Sequence, residues 1–173
     1  MGKRSDFQRI ERDYYPTPIE AVRPLVPHLP LANFGYVEPC AGDGRLVRHI
    51  NALTEGRAVC EAAYDIEPQD PSVMAWNAMD VTVASMFITN PPWDRKVLHP
   101  LIQHLSSVAP TWLLFDADWM HTRQSVPMVA RLQKVVSVGR VKWIEGSKMT
   151  GKDNCCWYLF DARHSGPAQF FGR

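Results

Sequence analysis

The chain reads as an α/β domain built on a mostly parallel sheet, with helices on both faces and an antiparallel strand at its end. Three observations predict this. Short apolar runs bounded by turn residues alternate with segments of helical periodicity, as in a parallel sheet with crossover helices. The first clear strand runs straight into a Gly-x-Gly turn, Gly42-Asp43-Gly44, and then into a helical face, the opening of a nucleotide-binding βαβ unit. The last two apolar runs, residues 135–144 and 155–160, succeed one another without a helix between them, as an antiparallel pair does.

Thr17, Pro18 and Glu20 fit a helix start, with Thr17 as N-cap, Pro18 at the first helical position and Glu20 closing a capping box. Ala21, Val22, Leu25 and Val26 are expected to face the core, and Pro24 and Pro27 to limit or kink the helix. A short strand from Tyr36 then reaches Glu38-Pro39-Cys40-Ala41-Gly42-Asp43-Gly44, and the next helix shows Leu46, Ile50 and Leu53 on one face. The third glycine of a dinucleotide fingerprint is missing, so the turn suits a cofactor without a pyrophosphate. Its glycines let the backbone approach the ligand, and the acid can receive a positively charged amino group. A second strand, residues 58–64, ends at Asp65-Ile66-Glu67. An acid about twenty residues past the glycine turn is where a ribose hydroxyl pair is held in such folds. Asp65 is the first choice for that role and Glu67 the second. Residues 77–81 read as a third strand end, with Asp80 placed to accept from an adenine amino group. Residues 87–89 form a fourth strand, Leu98, Leu101, Ile102 and Leu105 a helical face, and residues 111–115 a fifth strand. A helix is expected around residues 128–132.

Composition bounds the possibilities. At 173 residues, with 46% hydrophobic and 21% charged content, the chain is expected to form one domain, residues 14–173, behind a charged and flexible segment, residues 1–13. A formal net charge of +1 excludes a global electrostatic pull toward nucleic acid, so any such binding must be local. No signal peptide or membrane span is apparent, and a cytoplasmic protein that is a monomer or weak dimer is expected. Cys40, Cys60, Cys155 and Cys156 lack metal-ligand spacing and read as reduced thiols. The six histidines show no ligand spacing either, and no metal is expected.

The stretch richest in chemistry is Asn90-Pro91-Pro92-Trp93. Neither proline has an N–H, and each pushes its predecessor out of the helical region, so the chain leaves the fourth strand in a stiff, extended turn. The Asn90 oxygen and the Pro91 carbonyl can each accept one N–H of an amine, and Trp93 can stack on a flat ring.

Taken together, Glu38-Pro39-Cys40-Ala41-Gly42-Asp43-Gly44, Asp65, Asp80 and Asn90-Pro91-Pro92-Trp93, in that order, resemble the motifs of class I S-adenosylmethionine (SAM) methyltransferases. The tetrapeptide is similar to that of the amino-group enzymes, and DNA adenine-N6 methyltransferases of small phage and prophage type are the nearest likeness. Tyr15-Pro16-Thr17-Pro18 resembles the N-terminal motif of those enzymes, which closes over the methionine end of SAM. The resemblance implies a Rossmann-like fold with a seven-stranded sheet. It implies SAM as cofactor, S-adenosyl-L-homocysteine as product, and DNA as partner, either double-stranded with base flipping or single-stranded. It assigns cofactor contacts to Tyr15, Thr17, Pro18, Glu38, Pro39, Cys40, Ala41, Gly42, Gly44, Asp65, Ile66, Glu67, Asp80, Val81 and Asn90. It assigns catalysis to Asn90, Pro91, Pro92 and Trp93. The same tetrapeptide serves cytosine-N4, RNA adenine and protein glutamine methylation, which stay open as alternatives. A SAM-fold module without catalysis is the alternative from another class, and the intact tetrapeptide and glycine turn argue against it.

No separate target-recognition domain is apparent, which leaves nucleic-acid contacts to short segments. Arg95 directly succeeds the tetrapeptide and Asp94. Lys142 lies in the long strand, and Ser147, Lys148, Thr150 and Lys152 in the loop of residues 145–154. If that strand is parallel to the others, the loop overhangs the methyl-transfer site and grips the phosphate backbone.

Overall fold

The computed structural model describes residues 14–144, 146 and 150–173. The flexible segment expected at residues 1–13, and the contacts expected of Ser147 and Lys148, lie outside the described residues. In chain order the elements are α1 (Ile19–Val22), β1 (Phe34–Glu38), α2 (Arg45–Leu53), β2 (Ala58–Asp65), β3 (Met74–Ala75), β4 (Phe87–Thr89), α3 (Arg95–Val108), β5 (Thr111–Asp116), α4 (Val126–Val129), β6 (Leu132–Arg140), β7 (Asn154–Phe160) and β8 (Gln169–Phe171). The strands form one sheet in the order β3-β2-β1-β4-β5-β7-β6-β8. The first five run parallel. β7 is antiparallel to both neighbours, β5 and β6, so β6 and β8 run with the first five.

Successive strand residues point to opposite faces, and here both faces are buried. Phe87, Leu113, Phe115, Tyr158 and Phe160 meet Leu98, Ile102 and Leu105 of α3. Ile88, Trp112, Leu114 and Trp157 turn the other way, onto Val22 and Leu25 and onto Leu46 and Ile50 of α2. Trp157 buries its indole N–H against the Ala21 carbonyl at 2.7 Å, which ties the short α1 to the sheet. Truncating a fully buried leucine such as Leu105 in such a core costs about 2–5 kcal/mol.

The mixed, mostly parallel α/β architecture is the one the sequence predicts, with five local differences. The sheet has eight strands rather than seven, because the short β8 adds to the outer edge of β6. The antiparallel strand β7 lies between β5 and β6 and, with β8 after it, is not the last in the chain. Residues 78–80 form a 3₁₀ turn rather than a strand end, with the Asn77 side chain accepting from the Met79 N–H at 3.0 Å; the strand there is β3, a few residues earlier. The helix expected at residues 128–132 is the one-turn α4, and Leu132 already opens β6. That strand stops at Arg140 rather than residue 144, after a register shift at Gly139, whose φ is +84°. Finally, the N-cap of α1 is Pro18 and no side chain caps it; the Thr17 hydroxyl has another partner.

Candidate functional site

A cavity of about 570 Å³ opens at the carboxyl ends of β1, β2 and β4, where open α/β sheets bind ligands. The β1–β2 end of the cavity is built largely by the backbone. Asp65, at the end of β2, accepts from the Gly42 N–H with one carboxylate oxygen and from the Glu67 N–H with the other, each at 2.8 Å. The Ala41 N–H donates to the Tyr64 carbonyl at 2.7 Å and the Gln69 N–H to the Gly42 carbonyl at 3.0 Å. Gly42 has φ +54°, and a Cβ there would stand 2.6 Å from Cε2 of Tyr14. Only glycine satisfies both the backbone and the ring lying on it. Gly44, at φ +71°, is the N-cap of α2.

Glu38 ends β1 at 1% exposure, and its Oε2 has no hydrogen-bond partner among the described residues. Burial, then the charges of Asp43 and Asp65, hold its carboxyl well above the usual carboxylate range. Burial and the Asp65 and Glu38 charges push the neighbouring Cys40 thiol up to about 12. Among the described residues, Glu38, Asp43, Asp65 and Glu67 line the cavity against a single lining cation, Lys96.

The β4 end is built by side chains. Asn90 directly succeeds β4, and its Nδ2 donates to the Tyr15 carbonyl and to Thr17 Oγ1, both at 3.2 Å. Its Oδ1 accepts from the Trp93 indole N–H at 3.3 Å, a donor shared with the Leu114 carbonyl at 3.2 Å. A backbone carbonyl only accepts and an indole N–H only donates, so these partners fix which way the amide faces. Trp93 meets Trp143 edge to face, with ring centroids 5.7 Å apart, and Trp143 meets Tyr15 at 6.4 Å. Asn90, Trp93, Trp143 and Tyr15 thus close a ring drawn from three separate segments.

Of the expected cofactor contacts, Tyr15, Thr17, Glu38, Pro39, Cys40 and Ala41 line the cavity. So do Gly42, Asp65, Ile66, Glu67 and Asn90. Pro18, Gly44, Asp80 and Val81 do not; Asp80 is exposed and Val81 is buried, its carbonyl 2.9 Å from His104 Nε2. Of the tetrapeptide, Asn90 and Pro92 line the cavity and Pro91 and Trp93 do not. Arg95 is exposed and donates to Gln124 Oε1 at 2.7 Å. Lys142, Thr150 and Lys152 are exposed. Sequence reasoning passed over Tyr14, Gln69, Met79, Lys96, Val97 and Pro100, which also line the cavity. The position of Lys96 and Pro100 in the first turns of the helix behind the tetrapeptide was the available signal for both.

No family model and no curated protein matches this chain. Solved structures do. PH1948 from Pyrococcus horikoshii, a proposed RNA methyltransferase, aligns with a TM-score of 0.57 at 12% identity, over 92% of this chain and 91% of that one. The 23S rRNA methyltransferase ErmE gives 0.55 at 11% identity, over 88% of this chain and 71% of that one. The type I restriction-modification methyltransferase subunit from Streptococcus thermophilus gives 0.55 at 10% identity, over 92% of this chain and 46% of that one. At these identities the likeness establishes the shared Rossmann-like α/β fold.

Proposed function

We propose that this chain is a SAM-dependent methyltransferase acting on an exocyclic amino group, that of adenine N6 in DNA. The observation that carries the reading is the locked Asn90 amide at the mouth of an acid-lined cavity whose far end is a glycine turn. The residues fit SAM. Its amino group and sulfonium are cationic, and the cavity offers four carboxylates, one of them the buried Glu38 with an unpartnered oxygen. Ile66, Met79, Val97 and Pro100 offer apolar surface for a flat base. Glu38 and Asp43 would hold the amino-acid end, and Asp65 and Glu67 the ribose.

Bound SAM would supply an electrophilic methyl group on a good leaving group, so no strong general base is needed. An adenine amino nitrogen is a poor nucleophile because its lone pair is delocalised into the ring. Asn90 Oδ1, which keeps a lone pair beyond its bond to Trp93, and the Pro91 carbonyl would accept the two amino hydrogens. They would favour a pyramidal nitrogen and stabilise the positive charge that develops on it. Trp93 holds Asn90, and Trp93 with Trp143 offers aromatic surface for a base flipped out of its stack. Lys142, Thr150 and Lys152 would contribute phosphate contacts.

The test is transfer from labelled SAM to unmethylated DNA, followed by digestion to nucleosides. N6-methyladenine is the expected product, and label in N4-methylcytosine would overturn the assignment. RNA adenine is the second reading, favoured by the RNA enzymes among the similar folds. A parallel RNA arm decides between them.

A further inference from the structure

A second cleft, of about 510 Å³, opens on the sheet away from the first. Its origin lies in the connection between β5 and β6. A parallel crossover is usually filled by a helix within a dozen or more residues. Residues 117–131 supply only short 3₁₀ turns and the single turn of α4. The ends of β6 and β7 are only partly covered there, and half-buried Ser137, exposed Asn154 and buried Cys156 line the cleft with Asp118 and His121 from the 3₁₀ turn. The remaining wall is β8 and the last residues of the chain. Because β8 is parallel to β6, its carboxyl end lies at the same edge of the sheet as Asn90. It brings Phe170, 65% exposed, and leads to Arg173. The Arg173 guanidinium lies over Gly139, where a Cβ would come within 3.0 Å of it.

One exposed aromatic ring is ordinary on a protein surface. Here it shares a cleft with a guanidinium, an amide and a carboxylate, beside the edge where the amino group would be methylated. We propose that this cleft holds a neighbouring nucleotide of the target strand. Its base stacks on Phe170, its edge bonds to Asn154 and Asp118, and its phosphate sits on Arg173. The proposal rests on the nucleic-acid reading above. Position, charge and chemistry select this occupant. Four strand spacings of about 4.8 Å separate β4 from β8, which carries Phe170, a reach of a few nucleotides. A net charge of +1 gives no overall pull on nucleic acid, so the grip comes from local contacts such as stacking and a few phosphate pairings. Asp118 repels a phosphate deep in the cleft and accepts from a base amino group, while Arg173 takes the phosphate.

Phe170→Ala, Phe170→Trp and Arg173→Ala alter exposed side chains in the full chain. The experiment measures methylation of single-stranded oligodeoxynucleotides with one adenine, methylation of free deoxyadenosine, and binding of the same oligonucleotides by fluorescence anisotropy over a salt series. Phe170→Ala is expected to raise the oligonucleotide KM and Kd about five- to a hundredfold, with kcat and SAM affinity unchanged. Phe170→Trp should restore binding. Arg173→Ala should lower the slope of log affinity against log salt by about one. Free deoxyadenosine, too short to reach the cleft, should be handled alike by parent and variants. Parent values of Kd and salt slope in both alanine variants overturn the cleft proposal. If the parent transfers no methyl group to any nucleic acid, the functional reading fails by itself, and anisotropy still decides the cleft.

Discussion

The two ends of the main cavity are made differently. At the β1–β2 end, main-chain groups bond to one carboxylate and to each other, and most of the structure is a single turn with one partner strand. At the β4 end, one amide is held by partners 75 and 73 residues away and by an indole anchored to a carbonyl 21 residues beyond it. A turn made of backbone tolerates changes in side chains but not in φ. A ring of side chains tolerates small backbone changes but loses its aim when any member is removed. Substitutions at the first end should therefore act on ligand affinity, and substitutions at the second on turnover.

Asn90→Ala separates the two most sharply. Methyl transfer is expected to fall by a factor on the order of a hundred or more, as for loss of one oriented charge-stabilising partner. Cofactor affinity, measured by calorimetric titration, should stay near the parent's. Near-normal turnover in this variant would remove the amide from the chemistry.

Gly42→Ala attacks the backbone end. The left-handed φ costs roughly 1–2 kcal/mol for an L-residue, and the new Cβ meets Tyr14 at 2.6 Å. Cofactor affinity should drop about tenfold or more, with kcat at saturation little changed. Adding Tyr14→Ala should relieve the clash but not the φ, so calorimetry should show partial recovery. Full recovery would mean that the ring alone forbids the side chain.

Glu38 makes the β1–β2 end sensitive to pH. Its carboxyl is raised in the folded protein, so its favourable contribution is complete below the unfolded pKa of about 4.3 and is lost as pH rises toward the folded value. Glu38→Gln removes that loss. Without ligand, the variant should gain stability over the parent as pH rises from about 4, by up to about 1.4 kcal/mol per pH unit while one proton is at stake. A cationic ligand group beside Glu38 should release the proton. Calorimetry at a pH between the unfolded and folded values, in buffers of different ionisation enthalpy, should then find more proton release on SAM binding in the parent than in Glu38→Gln.

Trp143 tests the aromatic ring gently. An edge-to-face contact is worth about 0.5–1.5 kcal/mol, so Trp143→Ala should lower kcat about two- to tenfold without changing cofactor affinity. Trp143→Phe should recover most of the loss. A fall in cofactor affinity equal to the fall in kcat would place Trp143 with the backbone end instead.

The same contrast explains what could be read from the sequence. The apolar run into Asn90-Pro91-Pro92, the Gly42-Asp43-Gly44 turn and the acid at Asp65 are local signals, and the structure gathers them at one sheet edge. That Asp65 spends both oxygens on backbone N–H groups was not legible, because its partner Gly42 depends on how β1 lies beside β2. Trp93 reads in the sequence as a stacking surface, and how its ring is held was not legible. Its N–H is bound to Leu114, a carbonyl on a strand whose place was not fixed by periodicity. Gln169-Phe170-Phe171 is too short, after Gly166 and Pro167, to stand out as a strand, and its pairing with β6 is purely tertiary.

The insertion of β7 between β5 and β6 also sets a timetable. Both neighbours leave the ribosome before the strand that joins them, and β7 pairs Thr111 with Phe160 only once the chain has been made that far. Until then two apolar strands stand with unpaired backbone edges, the condition in which nascent chains pair with the wrong partner. A chain of this design joins β6 to the rest of its sheet late and only through β7, so a chain stopped before residue 154 has no strand to link β6 to β5.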